Sequence, residues 1–523
     1  MSSEPIRRPV VRVDMRPQMP LFDDLPAPEV LPAASSGVSD PAEKRFVEHD
    51  PRELFIGGSR LHEHLENTGV RDALVIGEVL DTFDWGVFED RYAVNGRPAY
   101  APRAMVGIVL YGMLRGAGSL RDLERLARTD LGCMWVGRCI QPDHSILGRF
   151  LQRHAEELSA ALFESVVKEA LRRTRSNREV LAGDGTTLEA LGSRLGVLKR
   201  EAAQAWCDAH REEDGAAVAR VEEALEQRPR AGQVVVTEPD AALLQLKNQR
   251  GMRPGYEAAV TANEARVAVD AELHGSSELA AMAQIVERIA GGETRELMLD
   301  AGFSQGFDLL ERTVEKEISL LSPLQGQKRG GEGDPGQRIA LQEFRYDEAG
   351  DFYVCPEGER LYPRGRFRGS APQAVKRRRP HTRYVASACG NCVRRPQCTR
   401  RALRVIQRDD AQALKDALRQ VMEQPRARER YAKRQSMVEP VFAYLRGVQR
   451  FERFRRRGLA GARLEFRLQI CAYNLSRIVA YARRASRKGF FAFLEVSWGR
   501  WRATQTSLRR IRDQIADWFD TMA

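Results

Sequence analysis

Asp184 and Asp300 each stand where an apolar run stops: Val180-Leu181-Ala182-Gly183 leads into the first, and Leu297-Met298-Leu299 into the second. Runs this short and apolar read as buried strands. Glycine follows each acid, Gly185 directly and Gly302 after Ala301. In mixed α/β sheets ligands and metals collect at the carboxyl ends of strands, because the turns there aim side chains into a crevice. Taken singly, Asp-Gly is more often just a turn. A third acid, Glu439, precedes Pro440-Val441-Phe442. A helix starting near Pro440 would hold it in its first turn, where a negative charge suits the helix dipole.

Cys355 and the run Cys389-x2-Cys392-x5-Cys398 bring a different chemistry. These four thiols lie in a Gly- and Arg-rich stretch too poor in apolar residues to pack alone, and a tetrahedral zinc would supply the missing folding energy. Free structural thiols are the alternative. Cys133, Cys139, Cys207 and Cys471 fall in helical patterns and read as small buried hydrophobes. The net charge of +11 is concentrated. Residues 361–408 hold fourteen Lys plus Arg and no Asp or Glu, so the rest of the chain is slightly acidic. A segment like this meets polyphosphate, most often nucleic acid, unless it is simply a solvated basic loop. Its densest part, Lys376-Arg377-Arg378-Arg379, is expected to grip DNA backbone without reading sequence.

The elements that must position these groups follow from the rest of the 523 residues, 43% apolar and 30% charged, a balance usual for several folded domains. The longest uncharged apolar run, 104–114, spans eleven residues, far short of the roughly 20 needed to cross a bilayer. The first residues, MSSEPIRRPV, lack a signal-peptide core, so the cysteines are expected reduced in a cytosolic compartment. Residues 1–45 hold eight prolines and no periodic pattern and read as a disordered arm. Between 104 and 154 three helical patterns follow one another, the second capped by Ser119 and the third starting at Asp143 or His144. They suit either a helix-turn-helix module or a structural bundle. A charged helical pair over 195–227, strands over 253–263 and 266–273, and a helix over 279–289 complete an α/β pattern around the two aspartates.

Assembled in order, these blocks resemble the bacterial insertion-sequence transposases of the DDE type. The resemblance covers roughly 50–485 and rests on Gly96-Arg97-Pro98-Ala99-Tyr100, Pro142-Asp143-His144-Ser145, Asp184-Gly185-Thr186, Asp300-Ala301-Gly302-Phe303, and YAKRQSMVEPVF over 431–442. It implies an α/β fold with a ribonuclease-H-like mixed sheet and flanking helices. An all-helical N-terminal DNA-binding domain precedes the sheet, and helical and Cys-rich insertions interrupt it. The expected divisions are an arm over 1–45, a helix-turn-helix-like domain over 46–178, and the first part of the catalytic domain over 179–325 with a helical insertion at 195–250. A basic Cys-rich insertion over 326–410, the catalytic return over 411–485 and a helical tail over 486–523 complete them.

The resemblance further implies that Asp184, Asp300 and Glu439 are catalytic and bind two Mg²⁺ ions for phosphodiester hydrolysis and transesterification. Tyr431, Arg434 and Arg446 match the basic and aromatic positions around the family's glutamate, where the two guanidiniums would grip phosphates near the scissile bond. Arg446 replaces the more usual Lys, and Glu257 stands after Tyr256 where relatives commonly carry an amide. The implied partners are double-stranded DNA, both inverted-repeat ends and target, and further copies of the chain assembled on it, in a bacterial cytoplasm on the nucleoid with no membrane. Alternatives are a catalytically silent DNA-binding descendant and a nuclease without strand transfer. Gln18, Leu21 and Phe22 resemble a peptide that docks on the replication sliding clamp, a three-position match that chance also produces.

Overall fold

The computed structural model describes residues 46–95, 97–228, 232–246, 251–324, 339, 341–368 and 380–484. Lys376, Arg377, Arg378, Arg379, Gln18, Leu21, Phe22 and the 486–523 tail lie outside the described residues.

The sheet grows outward from Val180–Glu189. On one side Met252–Ala262 pairs antiparallel with this central strand, and Ala268–His274 pairs antiparallel with Met252–Ala262. On the other side Glu296–Met298 and then Ser319–Leu321 continue in parallel. A short strand, Ala242–Gln245, pairs with the start of Met252–Ala262. The central strand is therefore ten residues long and does not stop at Asp184. Gly185 is a weak strand former, but the β-branched Thr186 and Thr187 favour a strand, and Ala259, Ala258 and Glu257 stand opposite the three and complete their ladder.

The two-residue alternation of a strand divides the core. Leu181, Leu297 and Leu299 face the helices Glu278–Ile289 and Phe307–Glu315. Ala182, Met298, Ala258, Val260 and Ala262 face the other way, against Met437, Val438, Val441 and Leu445 of the helix Arg434–Gly447. A last helix over 458–484 crosses the edge strand, where the Asn474 side chain accepts from the Ala268 N–H at 2.9 Å and donates to its carbonyl at 2.8 Å. The backbone groups at a bulge between Ala268 and Asp270 are thereby satisfied.

The three expected N-terminal helices form at Pro102–Leu114, Leu120–Thr129 and His144–Arg153. Ser119 and Asp122 make a reciprocal capping box for the second, and Asp143 caps the third by accepting from Ile146 N–H. The apolar run is the buried central helix of this bundle. Its Arg103 is paired with Asp81 at 2.8 Å and bonded to the Gly77 carbonyl at 2.9 Å. Among the described residues no helix is long and apolar enough to cross a membrane. The region is not wholly helical: Phe46–Val47 pairs with Ala99–Tyr100, and Phe55–Ile56 with Ser59–Arg60. In the charged insertion, the helices Arg200–His210 and Gly215–Gln227 are bracketed by a small strand pair, Val197–Lys199 with Gln233–Val235.

The Cys-rich segment corrects an expectation. It is not short of packing: Arg345–Asp347, Phe352–Val354, Arg360–Phe367, His381–Ala386 and Val405–Asp409 form a five-stranded antiparallel meander. Aromatic residues replace the missing aliphatics. Tyr353 lies 4.9 Å from Tyr346 and 5.1 Å from Tyr384 between ring centroids, and the Arg408 guanidinium caps Tyr346 at 3.8 Å. Leu361, with no exposed surface, sits at the centre of this core with Phe344 and Ile406. Leu361→Ala is expected to cost about 2–5 kcal/mol locally. In hydrogen exchange the amides of His381–Ala386 should lose protection while those of Val180–Glu189 keep theirs; equal losses in both would mean that the meander does not fold as its own unit.

Candidate active site

Asp184 lies in mid-strand, on the face covered by the helix Arg434–Gly447. The parallel register pairs Val180 with Glu296 and Ala182 with Met298. This register ends at Ala182 and Met298, and Asp184 and Asp300 each follow two residues later on neighbouring chain segments. Asp300 has just left its strand, as the sequence suggested. Its Oδ1 accepts from Gly302 N–H at 2.9 Å, and its carbonyl accepts from Ser322 Oγ at 2.8 Å, so the Asp-Ala-Gly turn is held on both sides.

Arg434 is the main partner brought to this pair. Its Nη2 donates to Asp184 Oδ1 at 2.9 Å and its Nε to the Gly183 carbonyl at 3.2 Å, a two-point grip across 250 residues of sequence. The guanidinium is buried, and the carboxylate keeps one-fifth of its surface exposed. Tyr431, one turn earlier, is half-buried. Burial pushes its phenol up, Arg434 opposes this, and the Asp300 and Asp184 carboxylates add to the rise, so all four groups share one neighbourhood. Further along the helix Arg446 donates to Thr186 Oγ1, two residues beyond Asp184 on the same strand face. Arg430, in the preceding helix Pro425–Ala432, pairs with Glu296 at 3.1 Å and ties that helix to the strand leading to Asp300.

Glu439 stands on this helix between the two arginines that reach the central strand, and its side chain is exposed. The helix does not start at Pro440: it runs from Arg434 and contains the proline. Proline deprives the Ser436 carbonyl of its helical donor, and Arg266 Nε replaces it at 3.0 Å. Glu439 is thus a mid-helix acid and not a helix-start one. Among the described residues no three His, Cys, Asp or Glu side chains lie together closely enough to hold a metal ion. Two aspartates share one neighbourhood, with Arg434 paired to one of them, and the glutamate does not join them in a three-residue cluster.

Two residues near the pair escaped the sequence reading. Thr186 is buried and binds Arg446. Glu278 begins the helix on the opposite sheet face, so close that a Cβ on Gly185 would stand 1.6 Å from its Oε1. The available signals were the glycine itself and the Ser277-Glu278 helix start. Glu257 faces Thr187 and His274 in the sheet, half-buried, and burial pushes its carboxyl up.

The four cysteines Cys355, Cys389, Cys392 and Cys398 are free, half-buried, and line one cleft of about 550 Å³ beside Phe344 and Leu361. Burial raises the Cys398 thiol, the Arg404 charge opposes the rise, and Cys389, Cys355 and Cys392 add to it. Cys355 Sγ accepts from Glu359 N–H at 3.3 Å. The thiols converge without closing into a ligand cluster. Cys133, Cys207 and Cys471 are buried as expected, while Cys139 is only partly so.

The segment 354–479, from the cysteine cleft through the Glu439 helix, matches the family model of a transposase DDE domain, and residues 70–153 match that of a transposase domain (DUF772). No curated protein matches the chain.

Proposed function

For a chain that its two family matches identify as an insertion-sequence transposase of the DDE type, we propose binding to the terminal inverted repeats of its element and metal-dependent strand cleavage and transfer at Asp184, Asp300 and Glu439. The observation that carries this reading is the parallel register that ends two residues before Asp184 and Asp300, with both carboxylates acting on Tyr431 beside the Glu439 helix. The strand order, with the long first strand central, its antiparallel neighbours on one side and two parallel strands on the other, supports a ribonuclease-H-like catalytic domain.

The donor set fits Mg²⁺, which takes oxygen ligands, and Asp184, Asp300 and Glu439 would hold it. When bound, two such ions stabilise the attacking and leaving oxygens of an in-line phosphodiester displacement. Arg434 fixes the orientation of the Asp184 carboxylate through a forked contact. The exposure of Glu439 leaves its carboxylate accessible to DNA. Arg446, anchored on Thr186, keeps a positive charge beside the strand. The four cysteines supply soft donors suited to a structural zinc in the meander. An element has two ends, so assembly of copies on bacterial nucleoid DNA follows from the same reading.

The test uses the full chain with Mg²⁺, a duplex copied from the DNA flanking the gene and pre-cleaved to a 3′ hydroxyl, and a target plasmid. Joined products are expected. Hydrolysis without joining would make the protein a nuclease, and binding with neither reaction would make it a silent DNA-binding descendant. The presence of all three acids favours the enzyme.

A further inference from the structure

Gly118 lies in the turn before the helix Leu120–Thr129, and a Cβ built on it would stand 2.9 Å from Arg455 Nη2, more than three hundred residues later in the chain. Gly116, with φ +72°, lies in the same turn and packs beside the Val448 carbonyl and Arg450. The segment after the Glu439 helix therefore runs directly over the N-terminal bundle. Between them is a cleft of about 660 Å³. Ser119, Ser145, Arg149 and Gln152 line one wall, and Arg455, Arg456 and Arg457 the other.

We propose that this cleft is a composite site for duplex DNA, in which the helix His144–Arg153 faces the base edges and Arg455 and Arg457 hold the flanking phosphates. The inference rests on the transposase reading and names the surface by which an element end would be held.

Charge complementarity decides the occupant. Ser145, Arg149, Gln152 and Arg153 are exposed along one stretch of the helix, whereas Leu147, Phe150 and Leu151 are buried against the bundle. Arg149 also lines a second cleft, with Arg97, Arg153 and Tyr92, on the side away from Arg455. Guanidiniums thus flank the helix on both sides, as the two phosphate rows flank a helix lying in a major groove. The acids of this surface are already engaged. Glu465 is buried and accepts the Arg455 and Arg456 N–H groups at 2.9 and 3.1 Å, which fixes the arginine segment. Asp122 accepts from Gly118 and Ser119 N–H, and Glu124 binds His144 at 2.8 Å. Arg455 and Arg457 are exposed. One wall belongs to the N-terminal bundle and the other follows the Glu439 helix, so DNA held here would be tied to both parts of the chain.

Fluorescence anisotropy of the full chain in Mg²⁺-free buffer, with a labelled duplex copied from the DNA flanking the gene and a scrambled duplex of equal composition, tests this without requiring cleavage. Failure here is therefore distinct from failure of the strand-transfer assay. Arg455→Ala with Arg457→Ala should weaken both duplexes alike and lower the log–log salt slope by about 1.8, at about 0.9 per lost phosphate contact. Arg455→Lys with Arg457→Lys should restore most of the slope. Arg149→Ala with Gln152→Ala should reduce the preference for the flanking duplex roughly tenfold or more. An unchanged slope in the first variant, or an unchanged preference in the second with melting preserved in both, would overturn the proposal. So would binding unchanged alongside an altered oligomeric state, which would make the cleft a contact between copies.

Discussion

Asp184→Asn and Asp300→Asn should each abolish strand cleavage, by roughly a thousandfold or more, the scale on which removal of one essential charge-stabilising group acts, while duplex binding persists. The reason lies in what each carboxylate does in the fold. An asparagine at 184 still offers a carbonyl to the Arg434 fork and keeps the helix hydrogen-bonded to the sheet, but the buried guanidinium loses its counter-charge, so melting falls while the protein still folds. At 300 the amide oxygen still accepts the Gly302 N–H and the turn survives. What each variant loses is a negative oxygen ligand. Binding to DNA is expected to hold or to strengthen, since a charge facing phosphate is removed. Cleavage of pre-formed element ends, gel-shift affinity and thermal melting on the same preparations separate the possibilities. Well-folded Asp184→Asn that still cuts would end the metal-carboxylate mechanism, whereas loss of cleavage in step with loss of folded protein would make these acids merely structural.

Arg434→Ala should damage both stability and activity, because it leaves the Asp184 carboxylate and the Gly183 carbonyl without their shared donor in a largely buried setting. Breaking a buried ion pair from one side costs about 3–5 kcal/mol, and the partial exposure of Asp184 places the expectation near the lower figure. Arg434→Lys should recover little. A single ammonium on a flexible stem reaches the carboxylate or the carbonyl, whereas the guanidinium fork serves both in a fixed plane. Denaturant unfolding followed by intrinsic fluorescence, with cleavage assayed at a temperature where the variant remains folded, distinguishes the two effects. An Arg434→Ala protein with wild-type stability and wild-type cleavage would show that the contact holds neither the helix nor the carboxylate.

What the sequence determined by itself was local. Apolar runs marked the strands leading to Asp184 and Asp300, and the 3.6-residue period and the Ser119 and Asp143 caps marked the N-terminal helices. The helix Glu278–Ile289 was legible within one residue. These signals depend on neighbours a few positions away, so one chain suffices to read them. The ordered blocks added the family, which both domain matches support.

The tertiary structure decided the rest, through partners that no local pattern announces. The central strand continues through Gly185, Thr186 and Thr187 because Met252–Ala262 pairs with it there, leaving Asp184 in mid-strand. The Arg434 helix continues through Pro440, with Arg266 bonded to the carbonyl that proline orphans, which turns Glu439 from a helix-start acid into a mid-helix one. The Cys-rich segment folds because tyrosines on different strands meet edge-on or tilted across its sheet. Arg434 finds Asp184 across 250 residues, and Arg455 lies over Gly118 across more. Gly185 and Pro440 are poorly suited to their elements by their own propensity, and there as elsewhere a hydrogen bond, a ring contact or a ladder partner from another part of the chain decides what local preference does not.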